Sequence, residues 1–190
     1  IDRLRFIMRM MPEVRSIGYI YADMPQSRSY NRWLEEVLKL EEFKNLKLYF
    51  RKVAFVPGEG GHIRMARLAK PHVVELESKV DIFLSPNDQM GIRKPFVETV
   101  TKTTTKPLVG LSKIEVMENW GTAFAYYPSR EAAGKQIGKM IAEIFAGEDF
   151  SKLIPQWPKS GIAINLRALK KAGITPPEEL LERADIDILR

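Results

Sequence analysis

Hydrophobic and polar residues form two kinds of pattern along the chain, and segments with one pattern alternate with segments that have the other. Short apolar runs bounded by turn residues, at 17–21 and 80–84, are typical of buried strands. Between such runs, apolar residues recur every three or four positions, as at 30–40, which predicts amphipathic helices. Strand and helix alternate in this way as far as about residue 150. The pattern predicts an α/β fold, a doubly wound parallel sheet flanked by helices on both faces.

The predicted strands are 17–21, 46–56, 80–84, 108–111, 123–126 and 162–164. Helices are predicted at 3–11, from 27 or 29 to 43, at 62–78, from the turn at 85–89 to about 103, at 129–146, from 165 to 173, and from 175 onward. Pro71 predicts a break within 62–78, because proline cannot donate the helical hydrogen bond. The predicted N-caps are Asn87 or Asp88, Ser129, Asn165, and Thr175 with a capping box to Glu178.

Composition narrows the class of protein. The chain has 190 residues, 45% hydrophobic and 28% charged, as globular proteins do. No run approaches the roughly 18 apolar residues that a membrane-spanning helix needs. Cysteine is absent, which excludes disulfides and thiolate chemistry. The net charge of +6 comes from basic residues interleaved with acidic ones, so it favours a solvated surface over a nucleic-acid interface. Because the chain opens with Ile1 inside an amphipathic stretch, we expect an internal start.

Motifs for catalysis are missing from the sequence. His62 and His72 are ten residues apart without an acidic ligand set, so neither a metal site nor a catalytic base is predicted. Gly-x-Ser-x-Gly does not occur. The glycine cluster at 57–62 lacks the lysine of a phosphate-binding loop and is interpreted as a connector. The sequence therefore predicts a protein without catalytic residues and without a cofactor.

Small polar residues follow the predicted strands. They are Gln26, Ser27, Asn87, Asp88 and Ser112. Because ligands bind outside the carboxyl ends of the strands in a parallel sheet, these side chains predict recognition of a small polar molecule by hydrogen bonds. The alternative is that Ser27, Asn87 and Asp88 only cap helices.

Several segments carry a resemblance to a known family. They are residues 121–136 (GTAFAYYPSREAAGKQ), 146–148, 154–155, 164–166, 170–174 and 177–185 (PEELLERAD), with 11–12, 17–21 and 80–84 upstream. In their order and spacing they closely resemble ABC transporter substrate-binding proteins of the tryptophan/tyrosine-binding type. The resemblance covers essentially the whole chain.

The resemblance implies a type I periplasmic binding protein fold, in which two doubly wound lobes hold a solute between them. Family members are longer, so the chain resembles the second lobe. It implies that 1–128 form this lobe, that 129–153 contain a helix belonging with the first lobe, and that 154–190 return to pack on the second. It places solute contacts at 24–28, 86–88 and 112, which adds Met24 to the candidates. Pro25 and Ser27 stand where the family often has an acidic residue and an asparagine, which leaves the solute undefined.

The function implied by the resemblance is solute binding for an ABC-type importer, outside the cytoplasm, either in the periplasm or lipid-anchored at the cell surface. The implied partners are a small-molecule solute, with aromatic amino acids as one candidate, and a membrane permease. Two alternatives stay open: a ligand-sensing effector domain of a regulator or receptor with the same fold, and a small α/β enzyme. We also expect self-association through the helix at 129–146, whose apolar residues Ile137, Met140, Ile141 and Ile144 need a partner.

Overall fold

The computed structural model describes residues 1–152, 154, 156–182 and 186–190. Leu153, Pro155 and residues 183–185 lie outside the described residues. Leu153 ends the predicted segment 129–153, and the others belong to the predicted return segment and to the stretches of resemblance. The strands are β1 (Ser16–Ala22), β2 (Lys47–Val53), β3 (Ile82–Leu84), β4 (Leu108–Gly110), β5 (Phe124–Pro128), β6 (Ser160–Asn165) and β7 (Ile186–Leu189). The helices are α1 (Asp2–Met10), α2 (Pro25–Val37), α3 (Gly61–Leu76), α4 (Lys94–Thr103), α5 (Lys113–Met117), α6 (Arg130–Phe145), α7 (Leu166–Lys171) and α8 (Glu178–Leu181).

The seven strands form one sheet in the order β2-β1-β3-β4-β5-β6-β7. The first five strands along the chain pair in parallel, which confirms the predicted α/β class. β6 runs antiparallel to β5, and β7 runs parallel to β6. The β1–β5 part of the sheet therefore has all its carboxyl ends at one edge.

Apolar side chains cover both faces of the sheet. On one face, Phe6 and Ile7 of α1 and Leu34 of α2 pack with buried residues of the strands. On the other face, Met65 of α3 and Phe96 of α4 do the same. Neighbouring strand residues point to opposite faces, which explains why the strands read as continuous apolar runs.

Pro71 does not break α3, contrary to prediction. The helix is continuous from Gly61 to Leu76, with Pro71 inside it and exposed. The apolar residues on the other side of the helix, including Ala69 and Val73, are completely buried. Their packing outweighs the lost hydrogen bond, because tertiary contacts override local propensity.

Three predicted helix starts are also wrong. α2 begins at Pro25 with Met24 as its N-cap, so neither Ser27 nor Ser29 caps it. α4 begins at Lys94 with Arg93 as its N-cap, so neither Asn87 nor Asp88 caps it. α8 begins at Glu178 with Pro177 as its N-cap, and Thr175 makes no capping bond. A residue before proline favours extended backbone, so the helix cannot start until Pro177 has passed. The predicted caps at Ser129 and Asn165 are confirmed, since they accept from the N–H groups of the residues three positions later at 3.2 and 3.0 Å.

α6 contacts the described part of the chain mainly through Gln136, whose side chain hydrogen-bonds to residues 156–159. None of its residues is buried, and Ile137, Ile141, Ile144 and Phe145 are all exposed. A Cβ added at Gly134 or Gly138 would meet no atom within 4 Å. The helix therefore presents an apolar stripe to solvent, and an uncovered stripe of this kind is unusual on a monomer.

The expected self-association through α6 can be measured on the 190-residue chain. We expect concentration-dependent dimers in sedimentation velocity, and we expect the triple variant Ile137→Gln, Ile141→Gln, Ile144→Gln to be monomeric. Ile63, Ile92 and Ile114 are exposed to a similar degree on other elements, at 40%, 42% and 41%. The matching triple glutamine variant at those positions should still self-associate. A monomeric wild-type chain would contradict the prediction.

Candidate binding site at the carboxyl edge of the sheet

Asp88 connects the loops that follow β1 and β3. Its Oδ2 accepts a hydrogen bond from the backbone N–H of Ala22 at 2.8 Å and a longer one from the Ser27 hydroxyl at 3.4 Å. The loops at 22–28 and 85–90 therefore lie together at the carboxyl edge, as a ligand site between parallel strands requires.

The other oxygen of Asp88 holds the turn that follows β3. Oδ1 accepts from the backbone N–H groups of Met90 at 2.9 Å and Gly91 at 2.8 Å. Asp88 is only 3% exposed, and burial raises the pKa of its carboxyl group, while the hydrogen bonds from Gly91, Ala22, Met90 and Ser27 act in the opposite direction. With both oxygens occupied by donors of the protein, Asp88 positions the two loops.

Ser112 lies at the end of β4 and bonds to a buried acid. Its hydroxyl donates to Oε1 of Glu115 at 3.0 Å, and the Leu111 N–H donates to the same oxygen at 3.0 Å. Glu115 is 1% exposed, and its Oε2 is buried without a hydrogen-bond partner. Burial raises the pKa of Glu115, which favours the neutral carboxyl group.

Arg3 reaches the same edge from the first turn of α1. Its Nη2 donates to the carbonyl oxygens of Ser85 at 3.3 Å and Gly110 at 3.4 Å, which lie at the carboxyl ends of β3 and β4. Nε of Arg3 and the hydroxyl of Ser85 are buried and have no partner in the described residues. The structure thus places a cation in the middle of the candidate site.

The predicted residues differ in how they face this edge. Met24 and Ser27 are buried, whereas Gln26 and Asn87 are exposed and their side chains make no hydrogen bond within the described part of the chain. Ser112 is half-buried. The predicted residues therefore lie on the loops of one edge or, for Gln26 and Ser27, in the first turn of α2 at that edge. Gln26 and Asn87 have side-chain groups there that bond to no described residue.

The sequence prediction missed Arg3, Ser85 and Glu115. The sequence could have indicated Glu115, since it stands three residues after Ser112 in the pattern of a capping box. No sequence pattern indicated Arg3, because its hydrogen-bond partners lie 82 and 107 residues away along the chain. Contacts of that kind depend on the topology of the sheet.

Other features of the structure lie apart from this edge. A groove of about 530 Å³ runs between α3 and α4, and its lining includes none of the predicted binding residues. Among the described residues, no three His, Cys, Asp or Glu side chains come close enough to hold a metal ion. None of the described helices is long and apolar enough to cross a membrane.

Comparison with protein families identifies the class of protein. The family model described as ABC transporter substrate binding protein matches residues 2–188. The chain belongs to this family. No curated protein matches the sequence of this substrate-binding chain.

Solved structures agree with the family in their fold. One is the ligand-free, open structure of a substrate binding protein with adhesive properties from Clostridium difficile, which is 19% identical with a TM-score of 0.78. The similarity covers 100% of this chain and 59% of that protein. A conserved domain protein from Vibrio cholerae is 20% identical (TM-score 0.67), with 98% of this chain covering 59% of it. An ABC domain in complex with L-Trp from Streptococcus pneumonia is 22% identical (TM-score 0.64), with 98% of this chain covering 60% of it.

The substrate-binding chain thus spans about three fifths of the length of these proteins. TM-scores of 0.64 to 0.78 establish a shared fold, the type I periplasmic binding protein architecture. The family is one of binding proteins rather than enzymes.

Proposed function

We propose that the chain is the second ligand-binding lobe of a solute-binding protein that serves an ABC importer. The observation that carries the proposal is the family match over residues 2–188, together with a carboxyl edge that carries polar side chains after β1, β3 and β4. A solute held at this edge would contact the lobe on one side only. A second lobe would cover its other side.

This arrangement implies a division of the chain into three regions. Residues 1–128 contain the parallel part of the sheet and would form the second lobe. The region 129–153 contains α6, which has no buried residue and would pack on the first lobe. Residues 154–190 contain β6 and β7, which pair at the β5 side of the sheet and would complete the second lobe.

The mechanism follows from two lobes that share one ligand. A solute first bonds to one lobe, and the equilibrium shifts toward the closed form because only that form contacts the solute from both sides. A membrane permease would recognise the closed shape outside the cytoplasm, where the protein would be free in the periplasm or lipid-anchored. L-tryptophan and other aromatic amino acids are the first solutes to test, since one neighbour is described in complex with L-Trp.

Native mass spectrometry of the full-length protein, purified without refolding, tests this function. We expect one small molecule per protein, lost on unfolding and bound again saturably in calorimetry. The enzyme alternative predicts that the same molecule is converted on prolonged incubation. The absence of both a retained molecule and saturable binding of any compound in an amino-acid and metabolite panel would contradict the proposal.

The regulatory alternative predicts the same binding with a different output. Full-length protein with its solute should stimulate ATP hydrolysis by its cognate ABC permease when both are reconstituted in liposomes. Stimulation supports the importer. Solute-dependent DNA binding by the full-length protein would favour the regulator.

A further inference from the structure

Arg3 occupies the centre of the carboxyl edge but is held there weakly. Both of its hydrogen bonds come from Nη2 and end on neutral carbonyl oxygens, at 3.3 Å to Ser85 and 3.4 Å to Gly110. These distances lie beyond the usual range for N–H···O bonds. The guanidinium group therefore has little to lose by exchanging these contacts for stronger ones.

No anion of the described chain neutralises Arg3. The two other arginines of α1 do have carboxylate partners, since Arg5 pairs with Glu42 at 2.7 Å and Arg9 pairs with Glu179 at 2.9 Å. Both of those pairs are exposed, where an ion pair contributes little. Arg3 is the half-buried one, with Nε buried and unpartnered. Burying a charge without a partner is unfavourable, so this site lacks an anion.

Glu115 is close but does not supply the anion. Its Oε1 already accepts from Leu111 and Ser112, and no ion pair joins it to Arg3. Its Oε2 lies against Gly110, where an added Cβ would stand 2.5 Å from it. Burial raises the pKa of Glu115 even though the charge of Arg3 acts in the opposite direction. The carboxyl group is thus biased toward the neutral form.

We propose that the solute carries a carboxylate and that Arg3 binds it, so that Arg3 determines which solutes the lobe accepts. The inference rests on the proposed function, because it assigns a ligand group to the same edge. Arginine presents a planar fork of donors that matches a carboxylate in two parallel hydrogen bonds. A phosphate dianion fits less well, because the carboxylate of Asp88 lies at the same edge and opposes a second negative charge on the ligand.

The test uses full-length protein and three variants. Arg3→Met removes the charge and keeps much of the length, Arg3→Lys keeps the charge without the fork, and Arg9→Met removes an arginine from the far end of the same helix. The solute retained in native mass spectrometry is identified by mass and titrated in calorimetry with its amide. L-tryptophan, L-tyrosine and L-phenylalanine are titrated in parallel with their amides.

We expect the retained solute to contain a carboxylate and Arg3→Met to weaken its binding by about 100-fold, as truncation of one partner of a buried charge pair does. Arg3→Lys should bind with intermediate affinity, and Arg9→Met should bind as the wild type does. The amide of the solute should lose affinity for the wild type but should bind Arg3→Met and wild type about equally. The melting temperature of ligand-free Arg3→Met should match that of ligand-free Arg9→Met.

Several results would overturn the assignment. A retained solute that is neutral, cationic or phosphorylated, or unchanged affinity in Arg3→Met, would show that Arg3 does not select a carboxylate while solute binding itself stands. A ligand-free Arg3→Met that melts well below Arg9→Met would show that the contacts of Arg3 within the protein are strong and that Arg3 stabilises the fold instead of binding a solute. Failure of the wild type to retain or bind any compound would instead refute the proposed function, and the assignment with it.

Discussion

Asp88→Ala is expected to destabilise the protein by about 3 to 5 kcal/mol, because it removes a buried carboxylate and leaves its donors unpaired. Three of those donors are buried backbone N–H groups, those of Ala22, Met90 and Gly91. Alanine offers these N–H groups no acceptor, so they stay unpaired unless water enters the cavity left by the carboxylate. Urea unfolding at neutral pH would measure the loss, and the melting temperature should fall by about 10 °C.

Ser27→Ala is the matched control for Asp88→Ala. It removes only the 3.4 Å bond to the same carboxylate and leaves the three backbone bonds in place. We therefore expect a loss below about 1 kcal/mol. Similar losses for the two variants would show that Asp88 does not connect the two loops in the way described here.

Gly91→Ala is expected to destabilise the turn after β3 by about 3 kcal/mol or more. A Cβ at this position would stand 2.1 Å from the carbonyl oxygen of Pro86 and 2.5 Å from the proline ring. Backbone atoms cannot move aside cheaply, so the turn that contains Asp88 must open. Chemical unfolding of the 190-residue chain measures the effect, and solute binding by the full-length variant should weaken with it.

Gly138→Ala provides the opposite expectation from the same chemical change. Gly138 lies inside α6, and a Cβ there would meet nothing within 4 Å. Alanine favours a helix over glycine by about 1 kcal/mol, so the isolated chain should be unchanged or slightly more stable. If Gly91→Ala were as harmless as Gly138→Ala, the close approach of Pro86 to Gly91 would be wrong.

The spacing of apolar residues predicted the fold well, because a sheet that is buried on both faces needs continuous apolar strands and amphipathic helices to cover them. The apolar runs at 17–21 and 80–84 are β1 and β3, and the caps at Ser129 and Asn165 begin helices as expected. Errors arose where packing or neighbouring prolines decide the outcome. α3 continues through Pro71 because its other side is buried, and α8 starts late because Pro177 follows Pro176.

The candidate site was predictable only in part. The positions after β1, β3 and β4 followed from the topology, and the structure brings Ser27 and Asp88 within hydrogen-bond distance. The role of each side chain could not be predicted from the sequence. Asp88, for example, accepts hydrogen bonds from backbone N–H groups of its own turn and does not cap α4. The cation at the edge comes from α1, and only the folded sheet brings Arg3 beside Gly110.

The segment between β5 and β6, which contains α6, begins and ends at neighbouring positions of the sheet. Pro128 of β5 pairs with Ser160 of β6, and the N–H of Ser129 bonds to the carbonyl oxygen of Lys159 at 3.0 Å. Replacing everything between those two partners by a short hairpin turn would close an ordinary antiparallel ribbon. Such a shortened chain would keep the carboxyl edge of β1–β5 and lose the exposed apolar stripe of α6, so the proposed roles of the two in solute binding and in assembly could be tested separately.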